Sequence, residues 1–373
     1  MNYRKIAIVG CMLVSMVLIS CGSRNEVRRV DNGSPKYLKK FVELEKSGEI
    51  DVTQISMFSK TYAFENLIDF DNAGNMYIMD GYEGAISVFD SSFRLIKTFG
   101  RTGQGPKEFE RPSALVIMHN KVYVFHGFYL YKIVDLDGNY ISSGTVFFEN
   151  PMKFSRVKDD FYLLRGKTDR TFTGLELILS AVDSETFVEK NELFRYKYPP
   201  GLRGPSYDFR FDNWLLALDN GEFFFPEDNL RKYSIIRYSM KGRPVLAFGR
   251  DYERREYSKA ARDRFYATYE RSIKRGEVEF PKYPPAIVKM FRDDMSNLWV
   301  ITGETYEDNG NEEYENSIDI FNDKGEWLFA FKSKVLSRNC FYHDGKIFKV
   351  LPINLIKFNQ AIEVFRIHYV LPQ

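Results

Sequence analysis

Cysteine and histidine are scarce in this chain of 373 residues. It contains three cysteines, Cys11, Cys21 and Cys340, and only four histidines. The first two cysteines fall in an N-terminal segment of distinct composition, so the remainder of the chain has a single thiol and forms no internal disulfide. His-Glu-x-x-His motifs, nucleophile elbows and cysteine pairs are missing as well. These absences disfavour the common hydrolase and metal-site chemistries, and no cofactor is expected.

An excess of charge is also missing. The formal net charge is +2, and the basic start of the chain, which holds Arg4 and Lys5 but no acid, accounts for it. A near-neutral domain gives no electrostatic reason to expect a nucleic acid or an anionic membrane surface as partner.

The N-terminus has the features of an export signal. Arg4 and Lys5 precede an apolar run, Ile6 to Leu18, which has the length of a signal-peptide core and is short for a membrane span. The run ends in Leu-Ile-Ser-Cys at Cys21, which resembles the lipobox of bacterial lipoproteins. We expect residues 1–20 to be a lipoprotein signal peptide, Cys21 to be the lipid anchor, and residues 21–40 to contain a flexible tether.

Residues 41–373 contain a degenerate repeat of about forty residues. Each copy has a short turn followed by an alternating strand rich in aromatic residues, and the turns are Gly74-Asn75, Asn120-Lys121, Asp159-Asp160, Gly221-Glu222, Ser296-Asn297 and Gly345-Lys346. A third strand follows in every copy: Ile86 to Phe89, Tyr131 to Val134, Leu175 to Val182, Ser234 to Tyr238, Ile318 to Phe321 and Ile362 to Ile367. This period favours an all-β, six-bladed β-propeller over a β-sandwich, which has no fixed internal period.

Two further features belong to the propeller prediction. A strand from the segment that precedes the first blade, near Phe41 to Leu44 or Ile50 to Phe58, is expected to complete the last blade and close the ring. A helical insertion is expected at about residues 252–280 in one inter-blade loop, since Tyr257, Ala261, Phe265, Tyr269 and Ile273 recur at fourfold spacing.

The stretch from Phe99 to Pro112, Phe-Gly-Arg-Thr-Gly-Gln-Gly-Pro-Lys-Glu-Phe-Glu-Arg-Pro, is similar to the connection between blades in NHL-type propellers. Together with the lipobox, it makes the chain resemble the six-bladed β-propeller lipoproteins of Bacteroidetes. That resemblance implies a place in the cell envelope, with the membrane as a partner through the N-terminal lipid. The periplasmic side is favoured, and surface exposure is left open.

The predicted binding surface is the face of the disc that carries the inter-blade loops and the turns between second and third strands. Arginines and aromatic residues gather in these segments, a mixture suited to recognising carbohydrate or peptide. The candidate ligand-binding residues are Asp80, Tyr82, Arg101, Arg111, His126, Tyr129, Arg165 and Arg250. The opposite face, with short turns that contain Asn72, Asn139 and Lys324, is expected not to bind.

The sequence therefore predicts a binding or interaction module for carbohydrate, peptide or another envelope protein. The alternative is a metal-dependent hydrolase, lactonase or lyase with its centre at the channel mouth. Its weak candidate ligands are Glu65, Asn66, Asp212 and Asn213, at the entrances of inner strands in the first and fourth blades. Neither the identity of the ligand nor a reaction follows from the sequence.

Overall fold

A computed structural model provides the structure of the chain. It describes residues 27–39, 41–53, 55, 64–126, 130–146, 151–157, 160–168, 175–197, 217–219, 221–229, 231–257, 259–274, 283–303, 315–337, 339–351 and 361–370.

Short strands make up most of this described chain. In sequence order they are β1 (Arg28–Asn32), β2 (Val42–Asp51), β3 (Ile68–Phe70), β4 (Met76–Met79), β5 (Ile86–Phe89), β6 (Leu95–Phe99), β7 (Pro112–Met118), β8 (Lys121–His126), β9 (Leu130–Asp135), β10 (Tyr140–Thr145), β11 (Pro151–Val157), β12 (Asp160–Thr168), β13 (Leu175–Val182), β14 (Glu189–Lys197), β15 (Ala217–Asp219), β16 (Glu222–Pro226), β17 (Ser234–Ser239), β18 (Pro244–Arg250), β19 (Ile287–Arg292), β20 (Leu298–Thr302), β21 (Asn316–Phe321), β22 (Trp327–Ser333), β23 (Cys340–His343), β24 (Lys346–Val350) and β25 (Ala361–Tyr369). A short 3-10 helix, Phe64–Leu67, precedes β3.

Apart from β1, these strands form six small antiparallel sheets, the six blades of a β-propeller. Blades 1 to 5 consist of β3–β6, β7–β10, β11–β14, β15–β18 and β19–β22, and blade 6 consists of β23–β25 together with β2. The first strand of each blade is the inner one, and inner strands of successive blades contact each other from β3 to β23. The predicted fold class and every predicted third strand are confirmed.

We name the two faces of the disc by their connections. The loop face carries the inter-blade connections and the turns between second and third strands. The turn face carries the short turns between first and second strands and between third and fourth strands.

Tight turns on the turn face are stabilised by a repeated side-chain cap. In the turn between β5 and β6, Asp90 accepts hydrogen bonds from the backbone N–H groups of Ser92 and Arg94, both at 2.9 Å. Asp135 caps the equivalent turn of blade 2, and Asn322 that of blade 5, through the same two positions. Asp and Asn favour such turns because their short side chains bond nearby backbone groups, which explains why these residue types recur along the sequence.

The ring is closed by a strand from the start of the domain. β2 pairs antiparallel with β25 over its whole length, from Val42 opposite Tyr369 to Asp51 opposite Ala361. It therefore forms the outer strand of blade 6, as predicted from the sequence. Because this pairing places β2 and β25 in one sheet, opening the ring would require breaking the hydrogen bonds of a complete strand.

The segment expected to be a flexible tether is instead docked over part of its length. β1 pairs in parallel with β18 and becomes a fifth strand on blade 4. The Asn32 amide then donates to the carbonyl oxygens of Gly249 in blade 4 and Gly325 in blade 5, at 2.9 and 3.0 Å. Its side-chain oxygen accepts the N–H of Trp327 at 2.9 Å. Arg28–Asn32 therefore connects blades 4 and 5. The expectation of a free tether is wrong for these residues.

The hydrophobic core lies between the blades rather than inside any one of them. Five clusters of buried apolar side chains sit where neighbouring blades face each other. The middle strands β4 and β5 are buried throughout because both of their faces contact other blades, whereas the outer strand β6 is partly exposed along its whole length. Sheets covered on both faces lose the alternation of apolar and polar residues.

The predicted helical insertion is present as α1, Lys259–Lys274. Two ion pairs with helical spacing, Lys259 with Asp263 at 2.6 Å and Lys274 with Glu270 at 2.5 Å, lie on its exposed side. The side chains of the predicted apolar stripe from Ala261 to Ile273 lie outside the described residues. Among the helices that the structure describes, none is both long and apolar enough to span a membrane.

Candidate functional site

Most of the candidate residues on the loop face of blade 1 form hydrogen bonds that stabilise their own loop. The carboxylate of Asp80 is buried and accepts the backbone N–H groups of Tyr82 and Glu83, each at 2.8 Å. Tyr82 is 65% exposed. Its backbone carbonyl accepts the hydroxyl of Thr102 at 2.7 Å, which ties the turn to the inter-blade loop. Of Asp80 and Tyr82, Tyr82 is therefore the residue with an exposed aromatic side chain that a ligand could contact.

The two arginines of the first inter-blade loop are exposed. The Arg101 side chain is 80% exposed and pairs with Glu108 at 2.7 Å, an interaction of small energetic value at a surface. Arg111 is exposed as well, with a backbone φ of 49° in the left-handed region. Both residues are exposed on the loop face, and their role in binding stays a prediction.

His126 and Arg165 are less accessible than the sequence suggests. His126 is buried at the end of β8, with its ring edge-on to Phe109 at 6.4 Å between centroids. Burial, and then the charge of Lys132, lower the pKa of His126, so the ring is neutral at physiological pH. Arg165, within β12, pairs with Glu189 at 3.2 Å. Tyr129, Asp212 and Asn213 lie outside the described residues.

Arg250 is a structural residue rather than an exposed one. Its guanidinium pairs with Asp319 at 2.7 Å, and the two side chains are only 9% and 1% exposed. It also lies over the rings of Tyr233 and Trp327, at 5.0 and 4.9 Å from their centroids. Arg250 is a candidate ligand-binding residue by sequence, whereas in the structure its guanidinium lies where blades 4 and 5 pack around this ion pair.

The central channel contains an ionic cluster that joins three blades. Glu65, in the 3-10 helix before β3, has a side chain that is only 13% exposed and pairs with Lys289 of β19 and, at 3.4 Å, with Lys153 of β11. Burial by itself would raise the pKa of Glu65, but the charges of the two lysines outweigh it and hold this pKa below its ordinary value. Blades 1, 3 and 5 thus meet at one carboxylate.

This arrangement bears on the weak metal hypothesis. Both oxygens of Glu65 are engaged by ammonium groups, which compete with a divalent cation for the same oxygens. Within the part of the chain that the structure describes, no three His, Cys, Asp or Glu side chains are grouped to hold a metal ion.

A cavity of about 520 Å³ lies in the channel. It reaches from Glu65, at the loop-face start of blade 1, to Asn72 and His119 in the turns that follow β3 and β7. The lining residues come from the inner strands of blades 1, 2, 3 and 6 and their turns: Glu65, Ile68, Asp69, Asn72, Leu115, Val116, His119, Phe154, Arg156 and His343. This cavity therefore extends to the turn face, which was expected from the sequence not to bind.

Two ionisable side chains in this cavity have displaced pKa values. Burial raises the pKa of Asp69 to about 6, although its oxygens accept the backbone N–H groups of Ile117 at 2.6 Å and Phe70 at 2.8 Å. Burial lowers the pKa of His343 to about 4. Its ring is stacked on Phe70, 3.7 Å away and nearly parallel. At neutral pH the wall therefore presents an ionised carboxylate and an uncharged imidazole.

Sequence reasoning missed Lys153, Arg156 and Lys289 as channel residues. A signal was present, since each is a charged residue within an otherwise apolar or aromatic inner strand. Such a residue must face either the solvent or the channel, because the neighbouring blades leave no other polar environment. His119 and His343 both line the cavity, whereas His126 lies at the end of β8 that faces the loop face.

Comparisons with known proteins identify the fold and no family. No family model matches the chain, and no curated protein matches it either. A Bacteroides fragilis protein described as exported has a similar structure, with a TM-score of 0.52 and 12% identity over 92% of this chain and 100% of that one. Virginiamycin B lyase from Staphylococcus aureus has a TM-score of 0.44 and 10% identity, covering 87% and 99% of the two chains. BamB from Moraxella catarrhalis has a TM-score of 0.36 and 10% identity, covering 82% and 84%.

The first of these similarities agrees with the six-bladed architecture. At such low identity it shows the fold alone, and the fold hosts many unrelated functions. Function must therefore be argued from the geometry of this chain.

Proposed function

We propose that this protein is an exported, lipid-anchored binding module of a bacterial envelope, whose loop face engages a carbohydrate, a peptide or another envelope protein. The observation that carries the proposal is the docking of β1 on blade 4. β1 begins seven residues after Cys21, so an acylated Cys21 would lie within about 25 Å of the blade even with the chain fully extended. The pairing of β1 with blade 4 would therefore hold the propeller close to a membrane.

The direction of β1 supports an orientation for the disc. β18 runs from the turn face to the loop face, and β1 runs parallel to it, with Arg28 opposite Leu246 and Asn32 opposite Arg250. The N-terminal end of β1, at Arg28, therefore lies at the turn face. In the proposed arrangement the loop face, with Tyr82 and Arg101, is directed away from the membrane.

Residues of the loop face supply suitable chemistry for recognition. Arg101 and Arg111 present exposed guanidinium groups, and Tyr82 presents an exposed ring close to the first of them in the same loop assembly. Planar donors and aromatic faces are the groups that orient sugars and peptides at protein surfaces. The metal-dependent alternative is less well supported, because lysines engage the oxygens of Glu65.

The loop face is tested by a pair of arginine variants with a matched control. The double variant Arg101→Ala and Arg111→Ala is expected to reduce capture of envelope glycans, peptides or proteins at least tenfold, because both guanidinium groups are lost from the proposed contact surface. Its free energy of unfolding should change by less than about 1 kcal/mol, since the pairing of Arg101 with Glu108 is exposed. Glycan and peptide arrays, followed by titration of the best probe, provide the measurement.

The control is Arg94→Ala with Arg243→Ala, two exposed arginines in turns of the opposite face. It removes the same amount of charge and should leave capture unchanged. Equal loss in the two double variants would show that charge rather than the loop face determines capture.

The anchor is tested at Cys21. In cells that express the full chain, Cys21→Ser should abolish labelling by a fatty-acid analogue and should move the protein out of the detergent-extracted membrane fraction or leave it as precursor, because the acceptor thiol is lost. Cys11→Ser, within the same N-terminal segment, should retain the label. Persistent labelling of Cys21→Ser would contradict lipid anchoring at this residue.

A further inference from the structure

The channel cavity has the dimensions of a small-molecule site. Its volume of about 520 Å³ lies within the range of about 300–1,000 Å³ that is typical of such sites. At the end nearer the loop face it includes Glu65, whose ion pairs with Lys153 and Lys289 cross the channel. At the other end it includes Asn72 and His119, in turns that belong to the turn face. The cavity therefore has a polar floor and lies next to the turn-face surface.

Arg156 is the residue that indicates a ligand. It lies on the inner strand β11 and is partly buried in the cavity wall. Its charge acts on both Asp69 and His343 across the channel. Nevertheless, no residue in the described part of the chain forms a hydrogen bond or an ion pair with its guanidinium, whereas Lys153, three positions earlier on the same strand, is paired with Glu65. A partly buried guanidinium favours a partner with two coplanar oxygens, and a carboxylate provides them.

The remaining wall offers groups that recognise hydroxyls. Asp69 is held in place by two backbone N–H groups and keeps lone pairs that accept further hydrogen bonds. The side-chain amide of Asn72 both donates and accepts. Phe154 and His343, whose ring is stacked on the buried Phe70, supply ring surfaces in the same region. A sugar-like ring with hydroxyls along its edge and apolar faces matches this combination of groups.

We propose that the channel cavity binds a small hydroxylated carboxylic acid of the hexuronic acid type, with its carboxylate on Arg156 and its hydroxyls on Asp69 and Asn72. This site lies on the turn-face side of the channel and is separate from the loop face. It requires neither the lipid anchor nor the loop-face partner of the proposed function. Failure of one proposal therefore leaves the other intact.

The test is a calorimetric titration of the purified full chain with D-glucuronate, D-galacturonate, D-glucose, L-glutamate and inorganic phosphate. The uronates are expected to bind, and glucose, which lacks the carboxylate, should bind at least tenfold more weakly. Arg156→Gln removes the charge and should weaken uronate binding at least tenfold. Arg156→Lys keeps the charge without the planar fork and should give a smaller loss. Arg94→Gln, a fully separate exposed arginine, is the control and should bind as the wild type does.

Melting temperatures keep this test interpretable, because Arg156→Gln should melt within about 2 °C of the wild type if the fold is intact. Uronate binding that Arg156→Gln leaves unchanged would overturn the assignment, as would the absence of uronate binding at probe concentrations up to about 10 mM. Tighter binding of phosphate or glutamate than of either uronate would overturn the ligand class. Selective loss of uronate binding in Arg156→Gln, with Arg94→Gln unaffected, would support the proposal.

Discussion

At the scale of single residues, the sequence Phe-Gly-Arg occurs twice, at Phe99 and at Phe248, and the phenylalanine of each copy packs on the next blade. Phe99 and Phe248 stand at the outer strands of blades 1 and 4. Each ring lies against a glycine in the last turn of the following blade, Gly138 and Gly325, and both glycines have φ near +80°. A Cβ added to Gly138 would lie 2.5 Å from the Phe99 ring, so this turn needs glycine for two reasons, its backbone angle and its contact.

These two reasons are separable by mutation. Gly74 lies in a turn with φ of +78°, and a Cβ added there would meet no atom within 4 Å. Gly74→Ala should therefore cost about 1 kcal/mol of unfolding free energy from backbone strain alone. Gly138→Ala has nearly the same φ of +82° and also meets the ring of Phe99, so it should cost about 1–3 kcal/mol more. Urea unfolding of both variants provides the measurement. Equal losses would mean that the contact between the turn and the ring contributes nothing.

Residue type alone did not determine the role of the arginines. Arg101 and Arg250 follow the same Phe-Gly pair, yet Arg101 is exposed and Arg250 is buried against Asp319. The difference depends on Asp319, which lies in the next blade and far away in the sequence. A local motif therefore predicts the strand end correctly and leaves the environment of the next side chain undetermined.

At the scale of elements, strands with strong turn signals could be predicted well. The third strands agree with the sequence analysis to within two residues, because Gly, Asn and Asp fix the adjacent turns through local chemistry. β1 could not be predicted, since it has only one apolar residue, Val30, and no alternating pattern. It is held by backbone pairing with β18, by the amide of Asn32 and by the pair of Arg29 with Glu227.

The same limit applies to the channel. The sequence has a charged residue in, or just before, each of three inner strands: Glu65, Lys153 and Lys289. Their meeting is a property of the closed ring, because residues from blades 1, 3 and 5 become neighbours only when all six blades are assembled. The site thus depends on non-local partners, whereas the blades that carry it depend mainly on local turns.

At the scale of the whole molecule, Glu65 is expected to stabilise the closed ring, because its ion pairs join blades 1, 3 and 5. Glu65→Gln keeps the size of the side chain but leaves the ammonium groups of Lys153 and Lys289 without their counter-charge, and this should cost about 3–5 kcal/mol of unfolding free energy. Glu49→Gln, which removes an exposed partner of Lys46, is the matched control and should change it by less than about 0.5 kcal/mol. Urea unfolding at pH 7 measures both.

The pH dependence gives this prediction a second measurement. The folded-state pKa of Glu65 lies below the ordinary value of 4.5, so its stabilising contribution is present above that pH and is lost as the pH falls through the lowered pKa. The difference in unfolding free energy between wild type and Glu65→Gln should therefore be largest near neutral pH and should shrink in acid. Because the cluster joins alternate blades, its loss should also lower the cooperativity of unfolding, seen as a smaller denaturant slope. A difference that stays constant from pH 7 down to pH 3 would show that packing, rather than charge pairing across the channel, accounts for the cost of the substitution.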